Sequence, residues 1–540
     1  MAWSWDVVAG PLSPDEKHRR REAIDLHANI AHVSALAVAA IAGLVMLLLR
    51  LRPCPPPVYA QVPTSPVAKA RRTRFRRFDA HHLLSRIRWW LGDDLGGGAG
   101  RRHEWIVGLV WAGWLLALCV RDTGSDFLHL TKRMGAVAVS QLPVLYLVSL
   151  KAFGSSHEVV KRLHAVLGRL VGLLLLLHVV CYNYFFVVAG IWPRRLLDLI
   201  VVYGVVAFVL LLALGVSATA SVRRASYRLF IRVHLVVALL VPLLVFFHAP
   251  PVRLYLVEAF LALIVDLFVR KLRSVNVPST LVFLPDANLV AVEATVPPRI
   301  SRALSDSPAA YVYLSLPQPR GAFDFLHNPF TVASSDDQRG TLTLVARVRN
   351  GPVTRTLARL ASSSSSSSRK HTLIIDGPYG SVARRLIARH PARVLLIAGG
   401  IGATFILPIH RFLREHLPEA RLRLIWAVRQ PADTTWATEA DLVPEDAQLF
   451  VTAGSLPPND DAIEMRPLPS SGSTISNHHL HRGRPDLDTV VDAVFRQGHE
   501  DPVAVLVCGP AGLAADVRRR VRPWVIQGRD AWWHSESFGC

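Results

Sequence analysis

Two apolar stretches of this chain constrain its fold more than any other feature. "HAVLGRLVGLLLLLH" (164–178) and "HLVVALLVPLLVFFH" (234–248) each begin and end with histidine, and Arg169 is the one charged residue inside them. Ionisable side chains in an apolar span are costly and mark function by default. Fourteen residues of helix rise ~21 Å and bring the two imidazoles to within ~40° of one face. Each stretch thus offers one imidazole near each end of a membrane-length helix. Apolar runs at about 29–49, 105–120, 134–153, 164–190, 197–216, 229–249 and 254–269 are read against the ~20 residues that cross a bilayer, and seven spans are expected. The hydrophobic share of 51% and the mean hydropathy of +0.31 agree with a lipid environment.

Charge gives the orientation. A formal charge of +21 would point to nucleic acid in a soluble chain, but in a membrane chain basic residues mark inner loops, so no nucleic-acid partner is expected. "KARRTRFRR", "KAFGSSHEVVKR", "RRASYR" and "RKLR" all fall on one side, which places the N-terminus outside and everything after 270 in the cytosol. No small-residue cleavage site follows the basic N-terminal segment, so no removable signal peptide is expected. Cys54, Cys119, Cys181, Cys508 and Cys540 are scattered without a CxxC, which indicates neither a disulfide framework nor a zinc site. Both histidine-bearing spans then run from inside to outside, so His164 and His234 share one depth and His178 and His248 another. Two haems, each held axially by one histidine from each helix, would satisfy all four imidazoles. Such ligation leaves iron no open position and suits electron transfer. Arg169, about one and a half turns beyond His164, is a candidate partner for a propionate of the inner haem.

From 275 onward the pattern changes to alternating strands, Gly/Pro turns and occasional helices, the composition of soluble α/β domains. The "SSSSSSS" run at 362–368 and the polar stretch near 455–482 read as disordered insertions. "RVLLIAGGIGATFILPIHRFL" (393–413) is a buried strand, a glycine turn and a helix. Gly399, Gly400 and Gly402 let phosphates approach the backbone, and the helix N-terminus supplies donors and a positive dipole.

The paired histidines, "KRMGAVAVSQLPVLYLVSLK" before them and the domain after them resemble the fungal ferric reductases of the flavocytochrome b superfamily, which also includes the NADPH oxidases. The resemblance covers roughly 105 to 540. It implies a multi-domain membrane protein: an α-helical transmembrane bundle of about seven spans with two b-type haems, a β-barrel FAD-binding domain, and an α/β nucleotide-binding domain of ferredoxin-reductase type. The expected boundaries are 1–103 for the N-terminus, first span and basic loop, 104–273 for the haem domain, 274–388 for the FAD barrel and 389–540 for the NADPH domain. It also implies electron flow from cytosolic NADPH to FAD, to the inner and then the outer haem, and out to an extracellular acceptor, here expected to be ferric or cupric ions or chelates. A multi-pass protein of the plasma membrane is expected, with a vacuolar membrane left open.

In "HNPFTVASS" the resemblance assigns Asn328, Pro329, Phe330 and Thr331 to the flavin, with the Thr331 hydroxyl facing it; Asn328 stands where the family usually has histidine. Arg347 of "ARVRNGPVTRTL" would meet the FAD pyrophosphate. Gly377, Tyr379 and Gly380 of "IDGPYG" end the barrel close to the cofactor, and Thr404 follows the glycine turn. Arg429, which ends the strand "LIWAVRQ", stands where the family reads the extra phosphate of NADPH. "GRP" (483–485) and "VLVCGPAG" (505–512) match further family motifs; within the second, Cys508, Gly509 and Pro510 would border the nicotinamide. "HSESFGC" resembles the family's terminal Glu-x-Phe signature, with Glu536 and Phe538 as candidates and Cys540 in place of a final aromatic.

The chemistry is coherent, because NADPH gives two electrons as hydride and haem iron takes one at a time, so a flavin must stand between them. Two other classes compete. A superoxide-producing NADPH oxidase shares the electron path, but the chain has no DxDxDG calcium loop and its additional first span and ESFG terminus look more like the metalloreductases. A non-enzymatic cytochrome carrier is opposed by the complete flavin and nucleotide motifs. "RDTGSDFLHLTKR" (121–133) offers Asp122, Asp126 and His129 as hard donors and an imidazole for brief metal binding. The choice among ferric iron, a siderophore chelate, cupric ion and oxygen stays open, as does the oligomeric state.

Overall fold

The computed structural model describes residues 5–7, 12–51, 80–95, 100–150, 157–316, 328–349, 351–363, 370–380, 382–453, 479–498 and 501–536. They fall into two compact units, one ending at Arg273 and one built from Ala80–Trp90 and the chain after Ser274.

The first unit is helical: α1 (Pro14–Leu51), α3 (Arg102–Val120), α4 (Phe127–Val139), α5 (Leu142–Leu147), α6 (His157–Val188), α7 (Leu199–Ser217), α8 (Tyr227–His248) and α9 (Arg253–Arg273); α2 (Ala80–Leu91) belongs to the second unit. Among the described residues five helices are long and apolar enough to cross a membrane: Pro14–Val45 of α1, α3, Lys161–Val188 of α6, α7 and α8. They leave large apolar side chains such as Leu109, Val110, Val209 and Leu212 exposed, as a lipid-facing surface does.

Two of the seven expected spans differ. The run at 134–153 divides into α4 and α5 at Ser140 and Gln141. Pro143 in the first turn of α5 has no N–H to continue the α4 ladder. Gln141 instead donates to the Ala31 carbonyl of α1 at 3.1 Å and to the Ser140 hydroxyl at 3.2 Å. The last run forms α9, whose apolar character is diluted by Glu258, Asp266 and a basic final turn.

Helix α1 brings a polar face inward. His32 Nδ1 lies 3.1 Å from the Ser140 carbonyl and its Nε2 lies 2.8 Å from Glu258, while the Tyr255 hydroxyl donates to Asn29 at 2.6 Å. A carbonyl only accepts, so Nδ1 carries the hydrogen of that contact. The break between α4 and α5 is therefore tied to both α1 and α9.

The second unit begins with a closed barrel of β1 (Val275–Leu284), β2 (Leu289–Thr295), β3 (Tyr311–Ser315), β4 (Asn328–Asp336), β5 (Thr341–Arg347) and β6 (His371–Tyr379), in the order β1-β2-β5-β4-β3-β6. Alternate residues such as Val290, Val292 and Ala294 point into its core with Leu342, Leu344, Leu373 and Ile375. A six-stranded sheet follows, with β7 (Arg393–Gly399), β8 (Arg421–Val428), β9 (Gln448–Val451), β10 (His479–Arg482), β11 (Val503–Cys508) and β12 (Ala531–Glu536) in the order β10-β9-β8-β7-β11-β12. Every pairing in this sheet is parallel. The unbroken apolar runs of β7 and β11 are the mark of parallel strands covered on both faces. Strand order reverses between β7 and β11, so a ligand crevice belongs at their carboxyl ends.

The stretch expected to be disordered at 455–482 ends sooner, because 479–482 pair with β9 as β10; residues 454–478 lie outside the described residues. Ser362 and Ser363 close the helix Pro352–Ser363, and the rest of the serine run also lies outside them.

Candidate functional site

In the membrane unit the four histidines form two settings. His164 of α6 and His234 of α8 face each other with ring centroids 5.8 Å apart, which leaves room for one metal ion bonded at about 2 Å to a nitrogen of each ring. His164 Nδ1 donates to the Leu145 carbonyl at 3.1 Å, His178 Nδ1 to Thr131 at 2.7 Å and His248 Nδ1 to Ile200 at 2.7 Å. Because each partner is a carbonyl, Nδ1 holds the hydrogen and Nε2 keeps its lone pair. This is the tautomer of a metal-binding histidine oriented by its backbone neighbour. His234 Nδ1 is buried with no hydrogen-bond partner.

His178 and His248 share a further device. A Cβ on Gly135 would lie 2.7 Å from His178 Cε1, and a Cβ on Gly204 would lie 2.5 Å from His248 Cε1. Each glycine sits four residues after the carbonyl that fixes the same ring, Thr131 before Gly135 on α4 and Ile200 before Gly204 on α7. In an α-helix those two positions are joined by one hydrogen bond. Each imidazole therefore lies on a single helical turn that a side chain would fill. Arg169 is exposed on α6.

The segment 121–133 does not gather metal ligands. Asp126 caps α4, accepting from the His129 N–H at 2.9 Å, and pairs with Arg20 at 2.7 Å. His129 Nε2 meets Arg133 at 2.7 Å, and Asp122 lies 3.5 Å from both His27 and Arg121. Among the described residues no group of three or more His, Cys, Asp or Glu could hold a metal ion, so the expected site at Asp122, Asp126 and His129 is overturned. Cap and ion-pair partners have taken the donors.

In the barrel, Thr331, Tyr311 and Tyr379 lie in one row across β4, β3 and β6. Tyr379 stacks on Tyr311 at 5.7 Å, and its hydroxyl donates to Asp376 at 2.6 Å. Asn328, Pro329 and Phe330 lead into Thr331 at the start of β4. Gly377 and Gly380 have φ of 144° and 111°, values that L side chains rarely adopt. Arg347, at the end of β5, donates to Asp433 at 2.6 Å. The same buried carboxylate accepts from the backbone N–H of Arg429 at 3.2 Å and of Gln430 at 3.4 Å. It joins the two arginines that the sequence assigns to separate cofactors. The Arg429 side chain is exposed beyond β8.

At the carboxyl ends of β7 and β11 two turns meet backbone to backbone. A Cβ on Gly402 would lie 2.1 Å from the Cys508 carbonyl oxygen, one on Gly399 would lie 2.8 Å from Pro510, and one on Gly509 would lie 3.0 Å from Gly399. Gly400 has φ 55°. Helix α10 (Ala403–His416) starts there, with the Thr404 hydroxyl donating to the Ile401 carbonyl at 2.9 Å. Cys508 is fully buried, and Glu536 stands opposite it in the β11–β12 register. His534 stacks with Phe405 and with Trp532, ring centroids 5.8 Å apart in each pair, and lies 3.9 Å from Glu536. Phe538 lies outside the described residues.

Sequence reading missed Gly135, Gly204, Tyr311, Asp433 and the His32–Glu258 pair. The glycines were the findable ones, since each interrupts an apolar run that flanks a histidine span.

Three segments match known families in chain order. Residues 134–245 match "Ferric reductase like transmembrane component", 274–383 match "FAD-binding domain" and 392–522 match "Ferric reductase NAD binding domain". A protein of Scheffersomyces stipitis named "Probable metalloreductase AIM14" is 26% identical over 476 residues, covering 80% of this chain and 86% of its own. "Ferric/cupric reductase transmembrane component 2" of Schizosaccharomyces pombe is 23% identical over 462 residues, covering 75% of this chain and 80% of its own. With segments matching a ferric-reductase-like transmembrane component, a FAD-binding domain and a ferric reductase NAD-binding domain in that order, and relatives named as metalloreductases, this chain carries the domain set of the ferric reductases and is an oxidoreductase.

Proposed function

We propose that this protein is a transmembrane metalloreductase that moves electrons from cytosolic NADPH, through FAD and two b-type haems, to ferric or cupric ions or chelates outside the cell, in support of iron or copper uptake at the plasma membrane. The observation that carries this reading is the state of the histidines. Three have Nδ1 committed to backbone carbonyls and Nε2 left to bond iron, and the fourth, His234, faces His164 at 5.8 Å. The names of the relatives supply the class of acceptor.

Bound FAD supplies the conversion between the two-electron hydride of NADPH and haem irons that carry one electron each. The chain's residues do the holding and aligning. Gly399, Gly400, Gly402 and Gly509 bring two backbones together at the strand ends, where the N-terminus of α10 favours a phosphate. Arg429, exposed beyond β8, can meet the extra phosphate of NADPH, and Arg347 reaches the same loop through Asp433. The Thr331, Tyr311 and Tyr379 row offers hydroxyls and ring faces to the flavin. His164 and His234 would hold the inner haem, His178 and His248 the outer. Held by an imidazole from each of two helices, such haems would supply electron transfer rather than a binding site for the acceptor. The basic segments flanking His164 and His234 support a cytosolic inner side and an N-terminus outside.

The test uses membranes containing the chain, given NADPH and a ferric chelate with and without superoxide dismutase. Ferrous product should form at the same rate in both. Superoxide as the main product, with metal reduction abolished by the dismutase, would replace this reading with that of an oxidase.

A further inference from the structure

Helix α2 is held to its unit by one face. The Trp89 ring meets Trp533 of β12 edge-on at 5.8 Å, and Arg518 lies 4.3 Å over Trp89 and donates to its carbonyl at 2.7 Å. Arg86 donates to the Ile526 carbonyl. Trp89 is buried with Phe495, Val503 and Val521 in the core of the nucleotide-binding half. At ~100° per residue, Leu83, Leu84, Ile87 and Trp90 fall within an arc of roughly 120° whose centre is opposite Trp89. Their exposures are 60%, 50%, 42% and 49%. Arg86 and Arg88 flank the arc, one on each side.

Chain connectivity says what covers this stripe. The span α3 begins at Arg102, eleven residues after Leu91, and eleven residues reach at most ~40 Å even when fully extended. On the other side, α1 ends at Leu51 and "KARRTRFRR" (69–77) precedes α2 by a few residues. A helix so tethered stays near the bilayer. Its make-up, an apolar arc with tryptophan and basic flanks, is that of a helix lying in the headgroup layer of an anionic leaflet.

We infer that α2 is a two-faced strap: Leu83, Leu84, Ile87 and Trp90 enter the anionic surface of the inner leaflet, while Trp89 and Arg86 hold the nucleotide-binding domain to the opposite face. The occupant of the stripe is lipid, attracted by Arg86, Arg88 and the basic run before them.

The test uses the full chain in bilayer nanodiscs of phosphatidylcholine with or without phosphatidylserine. A benzophenone side chain is placed at Leu84, at Ile87, or at Ser85 on the opposite face. Irradiation should attach phospholipid at 84 and 87, several-fold more with phosphatidylserine, whereas position 85 should cross-link to the nucleotide-binding domain. Cross-links from 84 or 87 to a second copy or another protein, or lipid adducts no greater than at 85, would overturn the inference. Hydrogen exchange of the 80–91 amides needs no substitution. It should slow at least several-fold in anionic discs compared with neutral ones, and equal rates would also overturn the inference. Neither readout involves turnover, so both stand apart from the reductase reading.

Discussion

Replacing Gly135 or Gly204 by alanine should remove the outer haem and leave the inner one. In an ordinary helix interior that change is favourable by about 1 kcal/mol. Here the new Cβ would lie 2.7 Å from His178 Cε1, and ordinary contact begins at 3.4 Å, so the ring must retreat by about 0.7 Å; at Gly204 the distance is 2.5 Å and the retreat about 0.9 Å. The ring has little freedom, since Nδ1 is fixed 2.7 Å from the Thr131 carbonyl. Leaving its rotamer costs about 0.5–1.5 kcal/mol and overpacking about 1–3 kcal/mol. Loss of the orienting hydrogen bond lowers metal affinity by about 10–100-fold. The reduced-minus-oxidised b-type absorbance of purified Gly135→Ala or Gly204→Ala should therefore fall towards about half that of the parent, with flavin retained. Gly172→Ala on α6, where a Cβ would meet nothing within 4 Å, should keep full absorbance. In a His178→Ala background the Gly135→Ala change should become neutral or raise the melting temperature. Full haem content in both glycine variants, or an equal loss of stability with and without the imidazole, would refute the reasoning.

Three further outcomes are expected from the second unit. Arg429→Ala should raise KM for NADPH at least about tenfold and leave KM for NADH nearly unchanged, because a guanidinium bonds a phosphate that NADH lacks; steady-state kinetics with both nucleotides decides, and equal effects make Arg429 a surface residue. Asp433→Ala strips Arg347 and two backbone N–H groups of their acceptor and should destabilise the unit by about 1–3 kcal/mol, read as earlier thermal release of flavin; an unchanged melting curve contradicts the bridge. Burial holds the pKa of His410 down at about 4 against the opposing pull of Asp446. The folded chain thus binds this proton more weakly than the unfolded chain, so stability present above about pH 6.5 is lost as pH falls towards 4. His410→Gln should flatten that part of the melting profile, and parallel profiles for the two proteins would count against it.

What the sequence makes legible follows the range of the forces involved. Membrane character, the paired histidines and the barrel-then-sheet order are written in hydropathy, spacing and glycine turns, which need no knowledge of packing. The broken helix at Ser140 and Gln141 was not legible, because the run 134–153 is as apolar as a span. Pro143 and the bond from Gln141 to Ala31 decide the break, and the second depends on where α1 packs. Gly135 and Gly204 interrupt apolar runs beside the histidine spans, but that each makes room for an imidazole ring shows only in three dimensions. Arg347 was read towards a phosphate, yet its partner here is Asp433, 86 residues away. Likewise Asp122, Asp126 and His129 resemble metal ligands in sequence, but Arg20 of α1 and Arg133 stand beside them in the fold.

The most direct test of the central claim is anaerobic reduction of the purified, lipid-embedded chain by NADPH, followed by haem absorbance and by ferrous product from an added ferric chelate. The account predicts that the parent reduces its full b-type absorbance and the chelate, whereas His248→Ala retains FAD, reduces about half that absorbance and delivers almost no electrons to the chelate. Full haem absorbance together with normal ferric reduction in His248→Ala would contradict it.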